Sequence, residues 1–155
     1  MSNTLKFIIA ITIPLLIGFS SSFFTVSEIG SWYQTIEKPS WNPPNWIFGP
    51  VWTTLYVLMG ISLFLVWKSS ALHKRSAIIL FSLQIVLNFF WSFIFFKQHQ
   101  IGLAFAEILA LWSMILLNIF AFGRINKLAA WLLVPYISWV SFAAILNFTI
   151  WQLNR

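Results

Sequence analysis

The chain has 155 residues, 60% of them apolar and only 8% charged, with a net charge of +6 and no cysteine. An ordinary soluble domain carries about 25% charged residues, and a soluble chain of this length could not hide so much apolar surface. A soluble enzyme, a disordered chain, a disulfide framework and thiol chemistry are thereby excluded. The nine basic residues sit at the ends of apolar runs, which is a topology pattern and not a nucleic-acid stripe.

Five stretches are charge-free or nearly so: Phe7 to Val26, Trp46 to Trp67, Ser76 to Phe96, Ile101 to Gly123, and Leu128 to Trp151. Each is roughly 20 to 24 residues long, enough for a helix to cross a hydrocarbon core about 30 Å thick. A membrane barrel would show shorter segments of alternating polarity. The sequence therefore predicts an all-α integral membrane protein, a bundle of five transmembrane helices within residues 1–155. The first span is too long, and too poor in a cleavage site, to read as a removed signal. Lys6, the Lys68/Lys74/Arg75 loop and the Arg124/Lys127 loop share one side, with no acid among them. The other side holds Lys38, Lys97 and Arg155 beside Glu28 and Glu37. The positive-inside rule puts the N-terminus in the cytoplasm and the C-terminus outside.

Connections two to four are short, so their helices pack antiparallel. The first connection, Ser27 to Asn45, reads SEIGSWYQTIEKPSWNPPN. Its prolines, Pro39, Pro43 and Pro44, stiffen it, and Trp32, Tyr33 and Trp41 give it apolar faces. A long ordered loop of this kind reads as a lid more readily than as an interfacial anchor.

Depth along each span groups the polar and aromatic residues. Trp52 lies about 9 Å below the outer end of its span, Trp91 about 8 Å, Asn88 about 12 Å, Glu107 about 9 Å, Asn147 about 6 Å and Trp139 about 18 Å. Gln84, Asn88, Trp91 and Phe95 share one helical face, as do Trp52, Tyr56 and Met59, and Tyr136, Trp139, Ala143 and Asn147. Glu107, Leu111, Met114 and Asn118 form a fourth. Polar groups at membrane depth turn away from lipid, so these stripes converge on a cavity or on one another. The indoles are too deep for an interface belt; both cavity walls and bundle filler fit them. A carboxyl such as Glu107 fits structural and ligand-binding roles equally well. The small-residue pairs Gly18/Ser22 and Gly102/Ala106/Ala110 permit close contact within the bundle or between protomers. Pro14 and Pro135 are expected to kink the first helix and the start of the fifth. His73 and His99 lie in opposite loops without evident partners, so no metal site is expected. No hydrolytic motif is present.

The run WYQTIEKPSWNPPNWIFGPVWTTLYVLMG (Trp32 to Gly60) resembles the signature of the tryptophan-rich sensory protein family, also called translocator protein or peripheral benzodiazepine receptor. The likeness continues through LNFFWSFIFF (Leu87 to Phe96) and PYISWVSFAAILN (Pro135 to Asn147) and covers nearly the whole chain in order. It implies a five-helix homodimer with a ligand cavity closed by the first loop, in a bacterial cytoplasmic membrane. It implies porphyrin ligands and, as for many members, sterols and synthetic isoquinolines or benzodiazepines, with the tetrapyrrole as ligand or substrate and no resident cofactor. Ligand-binding positions carried over by motif are Tyr33, Pro43, Trp52, Tyr56, Asn88, Trp91, Trp139 and Ala143. Bacterial members are linked to light-dependent protoporphyrin breakdown, for which Trp52 and Trp139 are the catalytic candidates here. A porphyrin would stack on indole faces, with Tyr33, Asn88 and the loop backbone as donors to its carboxylates. The cholesterol motif of animal members is broken, because Tyr136 is followed by no Lys or Arg before Arg155. A transporter of porphyrin or sterol, and a sensory or assembly protein, stand as alternative functions; no inverted repeat supports transport.

Overall fold

The computed structural model describes residues 1–155. It is built from helices α1 (Asn3–Ile29), α2 (Trp32–Thr35), α3 (Asn45–Trp67), α4 (Lys74–Ser92), α5 (Ile101–Gly123), α6 (Lys127–Leu132) and α7 (Val134–Leu153), with a π-helical turn at Phe93–Lys97. Five of these units are long and apolar enough to cross a membrane: α1, α3, α4 with its π turn, α5, and α6 with α7. The helices overrun the expected spans at most ends. Polar flanking residues still have helical propensity and, at the water interface, hydrogen-bond freely.

The spans close into a ring. α1 packs on α3 and α4, α4 on α5, α5 on α6 and α7, and α6 and α7 on α3. Lipid tails supply no drive for apolar helices to associate, so small residues and polar pairs decide where backbones meet. Gly60 of α3 lies against α1 so closely that a Cβ there would stand 2.7 Å from the Ile11 Cα and 2.8 Å from the Ala10 carbonyl oxygen. Pro14, buried inside the unbroken α1, has no N–H to return to that same carbonyl. Near the inner end, the Ser62 hydroxyl donates to the Ala129 carbonyl at 2.7 Å, and the Asn118 amide to the Ala77 carbonyl at 3.2 Å. Phe81 and Phe122 stack between them with centroids 5.9 Å apart.

Three local features shape the spans, and of these only the break near Pro135 was expected from the sequence. The first connection is shorter than expected: α1 runs to Ile29, and Trp32–Thr35 forms its own helical turn. The fifth span breaks at Leu133, where Pro135 in the first turn of α7 cannot donate back to α6. The π turn, closed by the Gln98 N–H donating to the Phe93 carbonyl at 3.0 Å, turns both Phe95 and Phe96 inward.

Candidate functional site

Above Gly60 the ring opens. The next close approach of α1 and α3 is at Gly18, where any Cβ would overlap the Tyr56 ring. Between the level of Thr12 and Leu15 on α1 and the outer end, the bundle holds a cavity of about 940 Å³. This is at the upper end of the roughly 300–1,000 Å³ usual for small-molecule sites. Gly18 and Ser21 form one wall, Trp52 and Tyr56 the next, then Asn88 and Trp91, then Trp139, Ala143 and Asn147. Ile108 and Leu111 of α5 close the back, and Ile29, Tyr33, Asn45 and Trp46 frame the outer end.

The sequence singled out eight binding positions. Seven line this cavity: Tyr33, Trp52, Tyr56, Asn88, Trp91, Trp139 and Ala143. Pro43 does not; it lies in the connecting segment, where its carbonyl accepts from the Asn42 amide at 3.3 Å. The cavity has a side opening that the stripes did not show. Leu16, Phe19 and Val26 of α1 and Trp46 of α3 line it and are also 58%, 64%, 72% and 74% exposed. The wall between these two helices is therefore thin on the lipid side.

Aromatic rings set the shape of the walls. Trp52 stacks on Tyr56 (5.6 Å between centroids, 28° between planes) and meets Tyr136 edge-on at 6.2 Å. Trp139 meets Phe48 edge-on at 6.1 Å and leans on Phe142 at 5.4 Å. Trp91 stacks on Phe95 at 5.1 Å. Of the four cavity indoles, Trp91 alone has its N–H hydrogen-bonded, donating to Asn147 Oδ1 at 3.0 Å. Asn147 in turn donates to the Ile101 carbonyl at 2.9 Å, which locks α4, α5 and α7 together. Trp91 is thus held as a fixed wall.

The floor is a hydrogen-bonded chain. The Tyr56 hydroxyl donates to Asn88 Oδ1 at 2.6 Å, the Asn88 amide donates to the Tyr136 hydroxyl oxygen at 3.1 Å, and the Tyr136 hydroxyl donates to Gln84 Oε1 at 2.8 Å. Tyr136 and Gln84 lie beneath the cavity, 0% and 1% exposed.

Tyr33 anchors the outer connection. Its hydroxyl donates to Asn42 Oδ1 at 2.9 Å, and Lys38 Nζ donates to the Tyr33 and Ile36 carbonyls at 2.6 and 2.8 Å. Burial of the Tyr33 phenol raises its pKa from 10 to about 12, and the bond to Asn42 offsets only part of that. The segment is also clamped to the end of α7. Asn154 Oδ1 accepts from the Glu37 N–H at 2.9 Å while its Nδ2 donates to the Glu37 carbonyl at 2.9 Å. Tyr33 and Asn88 were expected as donors to ligand carboxylates. The Tyr33 proton is already given to Asn42, and Asn88 gives an N–H to Tyr136.

One further expectation is corrected, and of the two roles left open for Glu107 one loses its geometric basis. His99 is not without a partner: its Nε2 lies 3.3 Å from the Glu28 carboxylate, and its ring stacks on Trp32 at 4.1 Å. The stack holds His99 at φ 56°, a left-handed conformation that a residue with a Cβ rarely adopts. Glu107 does not reach the cavity, although its neighbour Ile108 does. Both its carboxyl oxygens are buried with no hydrogen-bond partner, so a ligand-binding role in this cavity has no geometric basis.

The fold and site define a polytopic α-helical membrane protein with an aromatic cavity inside its bundle. The chain belongs to the TspO/MBR family, which it matches over residues 10–152. It is 44% identical over 150 residues to the tryptophan-rich protein TspO of Chlorobaculum tepidum, covering 94% of each chain. It is 41% identical to the protein of the same name from Archaeoglobus fulgidus, over 98% of this chain and 99% of that one. The Homo sapiens translocator protein is 38% identical over 92% of this chain and 86% of its own length.

Proposed function

We propose that the protein is a membrane receptor for flat tetrapyrroles of the protoporphyrin class, and that it degrades them slowly under light and oxygen. The observation that carries this is the cavity itself: about 940 Å³, walled by Trp52 and Trp139 with their indole N–H groups unbonded. A broad aromatic ligand stacks on such rings, at about 0.5–1.5 kcal/mol for each ring pair beyond simple burial. The thin wall between α1 and α3 gives an apolar ligand a path from the lipid. Its carboxylates then stay at the outer end, near Asn45 and Trp46. The connection around Tyr33 acts as the lid.

In the photoreaction the excited ring activates oxygen, whose two atoms add across a carbon–carbon double bond of the ring and open it. Adjacent indoles hold the ring and quench, or are oxidised by, the same oxygen species, so the chemistry belongs to ligand and oxygen and the protein supplies position. Trp52 and Trp139 are the indoles for this step. Sterols and synthetic isoquinolines or benzodiazepines are secondary ligands of the same apolar walls. The protein works as a homodimer in a bacterial cytoplasmic membrane, N-terminus inside. Binding is preferred to transport because the cavity ends on the Tyr56–Asn88–Tyr136 floor, with packed side chains below it.

The test is titration of the purified protein with protoporphyrin in darkness, followed by light. Tryptophan emission should be quenched at stoichiometric ligand. Trp52→Phe and Trp139→Phe each keep an aromatic ring that is harder to oxidise, so binding should survive in part while the photoreaction slows. A double variant that binds and degrades at the native rate would reduce the indoles to packing. Absence of quenching would remove the tetrapyrrole reading altogether.

A further inference from the structure

We propose that Gln84, which does not touch the cavity, decides whether the cavity floor meets a ligand as a hydrogen-bond acceptor or as a donor. The inference rests on the reading of the cavity as a ligand site and adds the polarity of its recognition.

A hydroxyl has one proton, and an amide has a carbonyl end that only accepts and a nitrogen end that only donates. A chain of alternating hydroxyls and amides therefore has two self-consistent directions. The direction here runs from the cavity inward. Tyr56 gives its proton to Asn88 Oδ1, Asn88 gives an N–H to Tyr136, and Tyr136 gives its proton to Gln84 Oε1. Gln84 is the end of the line: its Nε2 has no partner and the residue is 1% exposed. With the Tyr56 proton committed, what its oxygen offers the cavity is lone pairs. Ser21, beside it on the cavity wall, gives its own proton to the Gly18 carbonyl at 3.0 Å and likewise offers lone pairs. At Tyr56 and Ser21 the floor thus favours a ligand that brings an N–H or O–H, such as the pyrrole N–H of a metal-free ring. It disfavours one that presents only carbonyl or carboxylate oxygens there.

Gln84 sets this direction because its carbonyl is the sole acceptor for a Tyr136 hydroxyl that has no access to solvent. Remove that carbonyl, and the Tyr136 proton finds an acceptor only in Asn88 Oδ1. Asn88 must then turn its N–H to Tyr56, and the Tyr56 proton is freed for the Ser21 oxygen beside it or for an acceptor on the ligand. Gln84 is a positioning residue acting through Tyr136 and Asn88. Leucine costs nothing at the Nε2, which is already unpartnered, and deprives only the Tyr136 hydroxyl, which the reversed chain satisfies.

The experiment compares two double-ring probes, 2-naphthol, which donates, and quinoline, which only accepts. Their binding to protein in lipid nanodiscs is measured by calorimetry against empty nanodiscs. Native protein should favour 2-naphthol over quinoline. Gln84→Leu should lower that ratio by roughly three- to tenfold, the worth of one net hydrogen bond. Tyr136→Phe should lower it too, and adding Gln84→Leu to Tyr136→Phe should change nothing more. Tyr56→Phe should abolish the preference, which places the effect at the floor. A purely structural role for Gln84 would weaken both probes equally and leave the ratio alone, and that result overturns the proposal. So does the absence of any preference, or of any binding, in the native protein. Protoporphyrin is titrated in parallel. If it fails to bind while the probe ratios behave as expected, the tetrapyrrole reading falls and the polarity of the floor stands.

Discussion

The inner and outer halves of the bundle are made of the same apolar residues and behave oppositely. In the inner half, Gly60 brings α1 and α3 into backbone contact, and Val66 and Ile115 have no exposed surface. In the outer half Gly18 of α1 faces the Tyr56 ring instead of a backbone, and ring edges and faces leave a cavity of about 940 Å³. Small residues let backbones approach, while large flat ones hold them apart and meet only along their own surfaces. Residue size along α3, more than hydrophobicity, decides which half is solid: Trp46, Phe48, Trp52 and Tyr56 line the open half, and Gly60 and Ser62 lie in the solid one.

The sharpest way to break this contrast is at its inner end. Gly60→Leu forces side-chain atoms into the Ile11 backbone, which has no flexible end to yield, so about 3 kcal/mol or more of stability should be lost. Thermal unfolding in detergent would record it, and an unchanged melting temperature would mean that the helices are not pinned there. Gly18→Ala is the outer counterpart. The three atoms nearest its Cβ all belong to the Tyr56 ring, which borders the cavity and can yield into it, so the fold should survive while the floor is displaced. Protoporphyrin affinity should fall about tenfold, with unfolding shifted far less than in Gly60→Leu.

A smaller effect is expected at the outer connection. Asn154→Ala removes both bonds to the Glu37 backbone, worth together about 1 kcal/mol at this exposed position. Ligand dissociation should quicken about fivefold, and stopped-flow displacement would read it against an unchanged association rate. The smallest effect is an alkaline one. Because folding raises the Tyr33 pKa from 10 to about 12, the neutral phenol's contribution is complete below pH 10 and is lost as pH climbs through about 12. Dissociation should therefore accelerate over that window in native protein and not in Tyr33→Phe.

The five spans were legible because charge-free runs of membrane length have few other readings. The stripe Gln84, Asn88, Trp91 was legible for a related reason: polar groups at helical spacing inside a span must face one another. Local pattern failed where the determinant is distant or a matter of one residue. Asn154 is 117 positions from Glu37, and nothing near either one signals the clamp. His99 looked partnerless because Glu28, 71 positions away, and Trp32 come from the neighbouring end of α1 and from α2, close in space and remote in sequence. Glu107 was ambiguous because a helical face fixes direction only to within a neighbour, and Ile108 took the cavity side. Pro43 was carried to the site by motif, yet the chain leaves the cavity before reaching it and returns at Asn45.

The π turn at Phe93–Lys97 carries a consequence for how the sequence has changed over time. Such a turn holds one residue more than an α-helical turn, and the surplus is absorbed locally. A single inserted codon could therefore have created it without disturbing the helix before it or α5 after it. Phe95 and Phe96, now 2% and 7% exposed, are the residues whose facing that insertion would have changed. A descendant of the uninserted lineage should align without gaps on both sides and be one residue short here. It should present only one of those two rings to the interior.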